Sequence, residues 1–281
     1  IIDQGMRRSD RYIKLKKAGK SETEIRKIFK TKIPMTLFSW DGEIDTILSP
    51  RDSIKYSKFF IHSGMMSMDP KTGHVKAYVG GINYKHFKYD HVKVGKRQVG
   101  STFKPFVYAL AIQEGFSPCY QVLNIPVVFD KESWGLGKIW IPKNSGNELA
   151  NTWVTLKSGL ANSINTITAY LLKELGAHAV VDMAKKIGIQ SDISPVPSVC
   201  LGVFDLSVYE MVGAYSTFVN KGIWTEPIFI TRIEDKNGVI LESFSPKTQE
   251  AMSEETANTM VRMLQEVVDG GTGSRLRSRY G

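Results

Sequence analysis

The 281-residue chain has only two cysteines, Cys119 and Cys200, with neither CxxC pairing nor metal-ligand spacing. A multi-disulfide framework or a structural zinc site therefore does not organise the fold; a single bridge stays open if the two meet in space, and two buried free thiols are the expectation. Long apolar runs are also missing. The longest, Phe106-Val107-Tyr108-Ala109-Leu110-Ala111-Ile112, is far short of the roughly 20 residues needed to cross a bilayer. No apolar run follows a basic start at the first residues, so no signal peptide is read. If the protein works outside the cell, its export and anchoring signals are expected upstream of residue 1. Repeats and low-complexity tracts are lacking, as are a Gly-x-Ser-x-Gly elbow, an HExxH pair, a P-loop and a Gly-x-Gly-x-x-Gly turn. His62, His74, His86, His91 and His178 show no metal-ligand pattern, so neither a metal nor an organic cofactor is read.

The formal charge of +9 is local. Residues 1–34 hold eleven Lys or Arg against four Asp or Glu, an excess of seven, which leaves only two for the rest. These cations are not interleaved with the stacking aromatics of a nucleic-acid groove, so no nucleic-acid partner is expected. A solvated helix pair is the reading of this arm, with a membrane-proximal role next.

Residues 7–30 read as two basic amphipathic helices, the first ended by Gly19 and the second opened by a Ser21/Glu24 capping box. Apolar runs flanking Asp41-Gly42 predict a hairpin over 35–48, and Ser49-Pro50 predicts a helix running to about His62. Strands are expected at 64–69 and 74–79 around Pro70-Lys71-Thr72-Gly73, followed by a helix over 102–114 and an irregular stretch over 117–152. Helical patterns follow at 154–160, 164–175, 177–187 and 207–220. A second hairpin is expected over 229–244 and a final helix from Ser253 to about Val268. Hairpins at both ends of a helical block predict an α+β fold, an antiparallel sheet flanked by helices plus an all-helical lobe.

The candidate chemistry begins at Ser101-Thr102-Phe103-Lys104-Pro105. Proline is tolerated in a helix only in the first turn, which places Ser101 and Lys104 at that helix start, with hydroxyl and amine on one face. A neutral lysine can serve as base for a serine nucleophile. Keeping it neutral near pH 7 requires lowering its pKa by about 3 units, roughly 4 kcal/mol. A helix N-terminus supplies only about 0.3–1 kcal/mol of that, and burial or a second cation must supply the rest. The Ser101 backbone N–H is a candidate half of an oxyanion hole. Ser163-Ile164-Asn165 lies between two helical segments with both polar side chains on one side. Its hydroxyl can relay a proton and its amide can hold a substrate carbonyl. Ser145-Gly146-Asn147 has the same form but lies in a loop without a helical frame, so Ser163 is preferred.

A Ser-x-x-Lys at a helix start followed by a Ser-x-Asn between helices resembles the penicillin-binding protein and serine β-lactamase group. Residues 68–81 are similar to the opening strands of the class A transpeptidase domain, and residues 96–106 to its nucleophile segment. Residues 201–218 resemble its late helix, and Gly270-Gly271-Thr272-Gly273 the lead-in to its third motif. The resemblance implies Ser101 as nucleophile, Lys104 as general base, Ser163 as proton relay and Asn165 as substrate contact. It implies peptidoglycan stem peptides and their lipid-linked precursor as partners, acylation by β-lactams, and a position on the extracytoplasmic face, anchored in the membrane by an upstream segment.

Lys71-Thr72-Gly73 precedes the nucleophile, where that family has a hairpin turn, and no Lys-Thr-Gly follows residue 165. The fragment is accordingly expected to stop before the third motif and to be inactive by itself. Residues 1–34 are expected to be a connector or the tail of an upstream glycosyltransferase domain, 35–63 a linker hairpin and helix, and 64–281 the transpeptidase domain. Two other functions stay open: a β-lactamase, which needs a deacylating water, and a non-catalytic β-lactam sensor.

Overall fold

A computed structural model describes residues 1–146 and 149–281. The last residue of the Ser145-Gly146-Asn147 triplet lies outside the described residues. The chain forms two compact units, one of residues 1–63 with 82–88, the other of 64–81 with 89–281.

The first unit contains helices α1 (Ile2–Arg8), α2 (Asp10–Lys17) and α3 (Glu22–Lys30), the hairpin β1 (Ile33–Ser39) and β2 (Gly42–Leu48), and helix α4 (Pro50–Ser57). Met6, Ile25 and Phe29 form its small core. The Ser21/Glu24 capping box is present in full at the start of α3. Gly42, at φ 120°, makes the Asp41-Gly42 reversal. Two expectations change. A helix precedes the expected pair, and α4 stops at Ser57 rather than near His62. The cations of α2 and α3 are solvated and partly paired, as in Lys20–Glu24 at 3.1 Å.

The second unit runs β3 (Met65–Met68), β4 (Val75–Val79), β5 (Lys96–Gln98), a 3₁₀ turn (Gly100–Phe103), α5 (Lys104–Gln113), β6 (Gln121–Leu123) and α6 (Lys131–Trp134). It continues with β7 (Trp153–Thr155), α7 (Leu156–Ala161), α8 (Asn165–Leu175), α9 (Ala177–Lys186), a second 3₁₀ turn (Pro197–Leu201), β8 (Asp205–Ser207) and α10 (Val208–Val219). It ends with β9 (Ile223–Thr225), β10 (Arg232–Glu234), β11 (Ile240–Ser243), β12 (Thr248–Glu250), α11 (Glu254–Asp269) and α12 (Arg275–Tyr280). The described strands pair as two-stranded antiparallel ladders: β3 with β4, β5 with β8, β6 with β7, β9 with β12 and β10 with β11. The early Lys71-Thr72-Gly73 is the β3–β4 turn. Asp69 accepts hydrogen bonds from the Lys71 and Thr72 amides at 2.9 and 3.0 Å.

Helix α5 is the centre of the core. Every residue from Lys104 to Ala111 is buried, so it is apolar all round apart from the Lys104 amine and the Tyr108 hydroxyl, the pattern of a helix enclosed by others. It packs against α7, α8, α9 and α11. Phe106 stacks on Phe218 of α10, with ring centroids 5.4 Å apart. Trp134 and Trp140 are local core, both packed on Phe129.

Helix α9 ends in a Schellman motif: Ile189 N–H donates to Ala184 O and Gly188 N–H to Lys185 O. Gly188 has φ 84°, and a Cβ there would lie 2.0 Å from the Trp224 ring. Ala at this position meets both a left-handed backbone and a ring with no room to move. Gly188→Ala is expected to cost about 2–4 kcal/mol, measured as a lower urea midpoint at unchanged slope.

Candidate active site

Lys104 opens α5 just after the 3₁₀ turn that carries Ser101, and Pro105 behind it needs no donor at that position. The Lys104 side chain is 1% exposed. Its Nζ donates to Ser163 O at 2.6 Å, to Ser163 Oγ at 3.0 Å and to Asn165 Oδ1 at 2.6 Å. An ammonium has three donors and no acceptor, so these contacts use all of it. None is left for Ser101, which is exposed one turn earlier. The structure thus joins Lys104, Ser163 and Asn165 directly and leaves Ser101 at the surface of the same helix start.

Burial lowers the Lys104 pKa from 10.5 to about 8. This is most of the shift that the sequence demanded, and it comes from desolvation rather than from a second cation. The nearby Cys200 thiol is pushed up to about 12 by its own burial and stays neutral. Cys200 is buried and Cys119 exposed, both free, so the expectation of two buried thiols holds only for Cys200.

Ser163 has φ 54°, a left-handed conformation that costs a non-glycine residue about 1–2 kcal/mol. Its origin is the end of α7. Ile164 N–H donates to Gly159 O at 2.8 Å and Ser163 N–H to Leu160 O at 3.0 Å. This is again a Schellman motif, with serine in the place glycine usually takes. The left-handed turn aims both the carbonyl oxygen and the hydroxyl of one residue at one amine.

Asn165 begins α8, whose N-cap position is Ile164, a residue without a capping side chain. The cap comes from a distant loop. Asn144 Oδ1 accepts from Asn165 N–H at 2.9 Å and Thr166 N–H at 3.1 Å. Asn165 Nδ2 donates to Lys143 O at 2.7 Å, which turns its Oδ1 towards Lys104. Beside this cluster is a cavity of about 290 Å³ lined by Asn124, Asn144, Ser145, Asn162, Ser163 and Thr272. The Gly270–Gly273 segment reaches it because Thr272 N–H donates to Ala161 O at 3.0 Å.

Three contacts fix the Ser101 turn. Gly100 N–H donates to Gly202 O at 3.0 Å, and Val99 N–H to Phe204 O at 3.1 Å. Tyr215 Oη donates to Thr102 O at 2.7 Å. Gly202, at φ 67°, lets the two segments touch, since a Cβ there would lie 2.2 Å from Gly100 O. Burial pushes the Tyr215 phenol up to about 12, so it remains a donor. Asn144, Gly202 and Tyr215 were not singled out from the sequence as site residues. The one available signal was Ile164, an apolar residue where a helix needs a cap.

A family model described as the penicillin binding protein transpeptidase domain matches residues 64–279. Another, the penicillin-binding protein middle domain, matches residues 1–61. The chain is 34% identical over 217 residues to penicillin-binding protein 1A of Aquifex aeolicus, covering 76% of this chain and 29% of that protein. It is similar in structure to penicillin-binding protein 1A from Haemophilus influenzae, with a TM-score of 0.71 at 24% identity, covering 78% of this chain and 38% of that one. It is also similar to an imipenem acyl-enzyme complex of penicillin-binding protein A from M. tuberculosis, with a TM-score of 0.53 at 19% identity, covering 62% of this chain and 44% of that one. The chain thus spans less than a third of the length of the curated relative.

Between pH 8 and 10.5 the unfolded chain keeps a proton on Lys104 that the folded chain has shed, so stability rises with pH across that window. The rise is about 3 kcal/mol, and it is expected to be missing from Lys104→Met when denaturation midpoints of the two proteins are compared across the window. At residue 163, Gly and Ala both remove the hydroxyl, but only Gly relieves the left-handed strain. Ser163→Gly is expected to be more stable than Ser163→Ala by about 1 kcal/mol in urea titrations.

Proposed function

The chain belongs to the penicillin-binding protein transpeptidase family, and we propose that it is the cross-linking domain of a bifunctional class A enzyme, a peptidoglycan D,D-transpeptidase working through a serine acyl-enzyme. One observation carries this reading: a buried amine, lowered to about 8, faces three oxygens of the Ser163-Ile164-Asn165 junction, one turn from an exposed serine.

A neutral amine keeps two donors and gains a lone pair. Of the three oxygens around Nζ, only Ser163 Oγ can reverse and become a donor, so loss of the Lys104 proton turns the Ser163 hydroxyl into a relay. The Ser101 proton then passes through the Ser163 hydroxyl to Lys104 as Ser101 Oγ attacks the carbonyl of the penultimate D-Ala of a stem peptide. The developing oxyanion is held in part by the Ser101 N–H. On collapse the peptide C–N bond breaks. The proton on Lys104 passes through Ser163 to the leaving amine, and terminal D-Ala departs. An amine of a neighbouring stem attacks the ester, its proton returns along the same path to Ser101 Oγ, and the new amide is the cross-link. Asn165 holds the substrate amide. A β-lactam places its strained carbonyl at the same position and leaves Ser101 acylated. The upstream membrane anchor, the extracytoplasmic location and the lipid-linked precursor belong to this reading, as does a Lys-Thr-Gly motif from beyond Gly281. No described helix is long and apolar enough to cross a membrane.

The test is mass mapping of the full-length protein after treatment with penicillin. One adduct is expected on the peptide containing Ser101 and none in Ser101→Ala. Ser163→Ala is expected to slow acylation by about 10²–10⁴-fold. An adduct at another residue, or none, overturns the assignment. Rapid steady-state hydrolysis of a chromogenic cephalosporin makes the protein a β-lactamase instead.

A further inference from the structure

We propose that Asn144 is a positioning residue for the acylation reaction, acting as the missing N-cap of α8 and thereby setting Asn165 and Ser163 against Lys104. The inference rests on the acyl-enzyme reading above and extends it to a residue 21 positions away in the chain.

Helix α8 begins without a cap of its own, because Ile164 cannot accept a hydrogen bond through its side chain. The first two amides of the helix are instead bound by Asn144 Oδ1. The orientation of the Asn144 amide is determined by its surroundings. With Oδ1 on two N–H donors, Nδ2 faces acceptors, donating to Asn124 Oδ1 at 3.2 Å and to Thr166 Oγ1 at 3.1 Å. Asn124 is 4% exposed. Its own Nδ2 donates to Leu149 O at 2.7 Å, its Oδ1 also accepts from the Thr166 hydroxyl, and its backbone joins Thr152 and Asn151. The cap is thus tied to the segment leading into α7, the helix whose end carries Ser163.

The residue before Asn144 completes the device. Lys143 O accepts from Asn165 Nδ2. The 143–144 peptide segment therefore fixes both the backbone start of α8 and the rotation of the Asn165 amide, whose Oδ1 holds Lys104 Nζ. Loss of Asn144 leaves two helix-end donors and a buried Asn124 oxygen without this partner. The Ser163–Asn165 backbone is then free to move relative to the amine. Such a change lowers the rate of the proton transfers.

The test compares three variants of the full-length protein by stopped-flow acylation with a fluorescent penicillin across pH 6–10. The number of acylable sites, the acylation rate constant and the noncovalent binding constant are read separately. Asn144→Ala is expected to lower the acylation rate constant about tenfold or more at full site count. Asn144→Asp keeps the cap acceptor but sets a negative charge at the motif. It is expected to move the alkaline midpoint of acylation upward by about half a pH unit or more, an effect that a merely structural role would not produce. Should Asn144→Ala not fold, Asn144→Asp decides alone. Unchanged rate per acylable site together with an unmoved midpoint overturns the proposal, whatever happens to melting temperature. Ser101→Ala separates the two claims. Labelling that survives there overturns the acyl-enzyme reading, whereas its loss beside unaffected Asn144 variants overturns only the role of Asn144.

Discussion

A lysine placed inside an apolar helix governs this structure. Helix α5 buries eight consecutive residues, and six of them carry no polar side-chain group. Lys104 carries an amine. Burying an ammonium without partners costs several kcal/mol, so three oxygens have to come to it, and all three belong to the Ser163–Asn165 junction. The arrangement is balanced at an intermediate point. Burial favours the free amine and lowers the pKa to about 8, while the three acceptors favour the ammonium. In the base role proposed for Lys104, a drier site would hold the proton too weakly to return it to a leaving group, and a wetter one would not release it.

Meeting that requirement breaks two local rules within three residues. The end of α7 takes a serine where its backbone favours glycine, and the start of α8 takes an isoleucine where its amides need an acceptor. Both departures sit where polar groups converge, as expected if local stability is yielded at a functional site and recovered elsewhere. The recovery can be traced. A six-residue helix is locked by two backbone bonds around the strained serine, and a loop asparagine supplies the acceptors that isoleucine lacks.

The parts legible in the sequence are those that depend on neighbours along the chain. Ser21 with Glu24, Asp41-Gly42, Ser49-Pro50 and Pro105 act within one turn, and each marked its element correctly. The Ser101/Lys104 and Ser163/Asn165 spacings were legible for the same reason. Boundaries failed where nothing local decides them. Helix α4 ends at Ser57 with no glycine or proline to signal it, and α12, short and basic, lies past the last helix that the sequence predicts. Asn144 was invisible as a cap because it works across 21 residues, from within a stretch in which asparagine suggests only turns. The direct grip of Ser163 and Asn165 on Lys104 was equally out of reach, since one-dimensional spacing does not say which side of α5 faces α8.

The hold of Tyr215 on the Thr102 carbonyl has a consequence for how the molecule comes into being. The turn bearing Ser101 is made from residues near position 100, but its supports lie at 202, 204 and 215. Loops of that length close slowly and late. A chain still emerging from the ribosome therefore contains the residues of α5 long before its serine has a fixed backbone. The turn bearing Ser101 is assembled only when the second half of the domain has arrived and docked, so the setting of that backbone is coupled to completion of the fold.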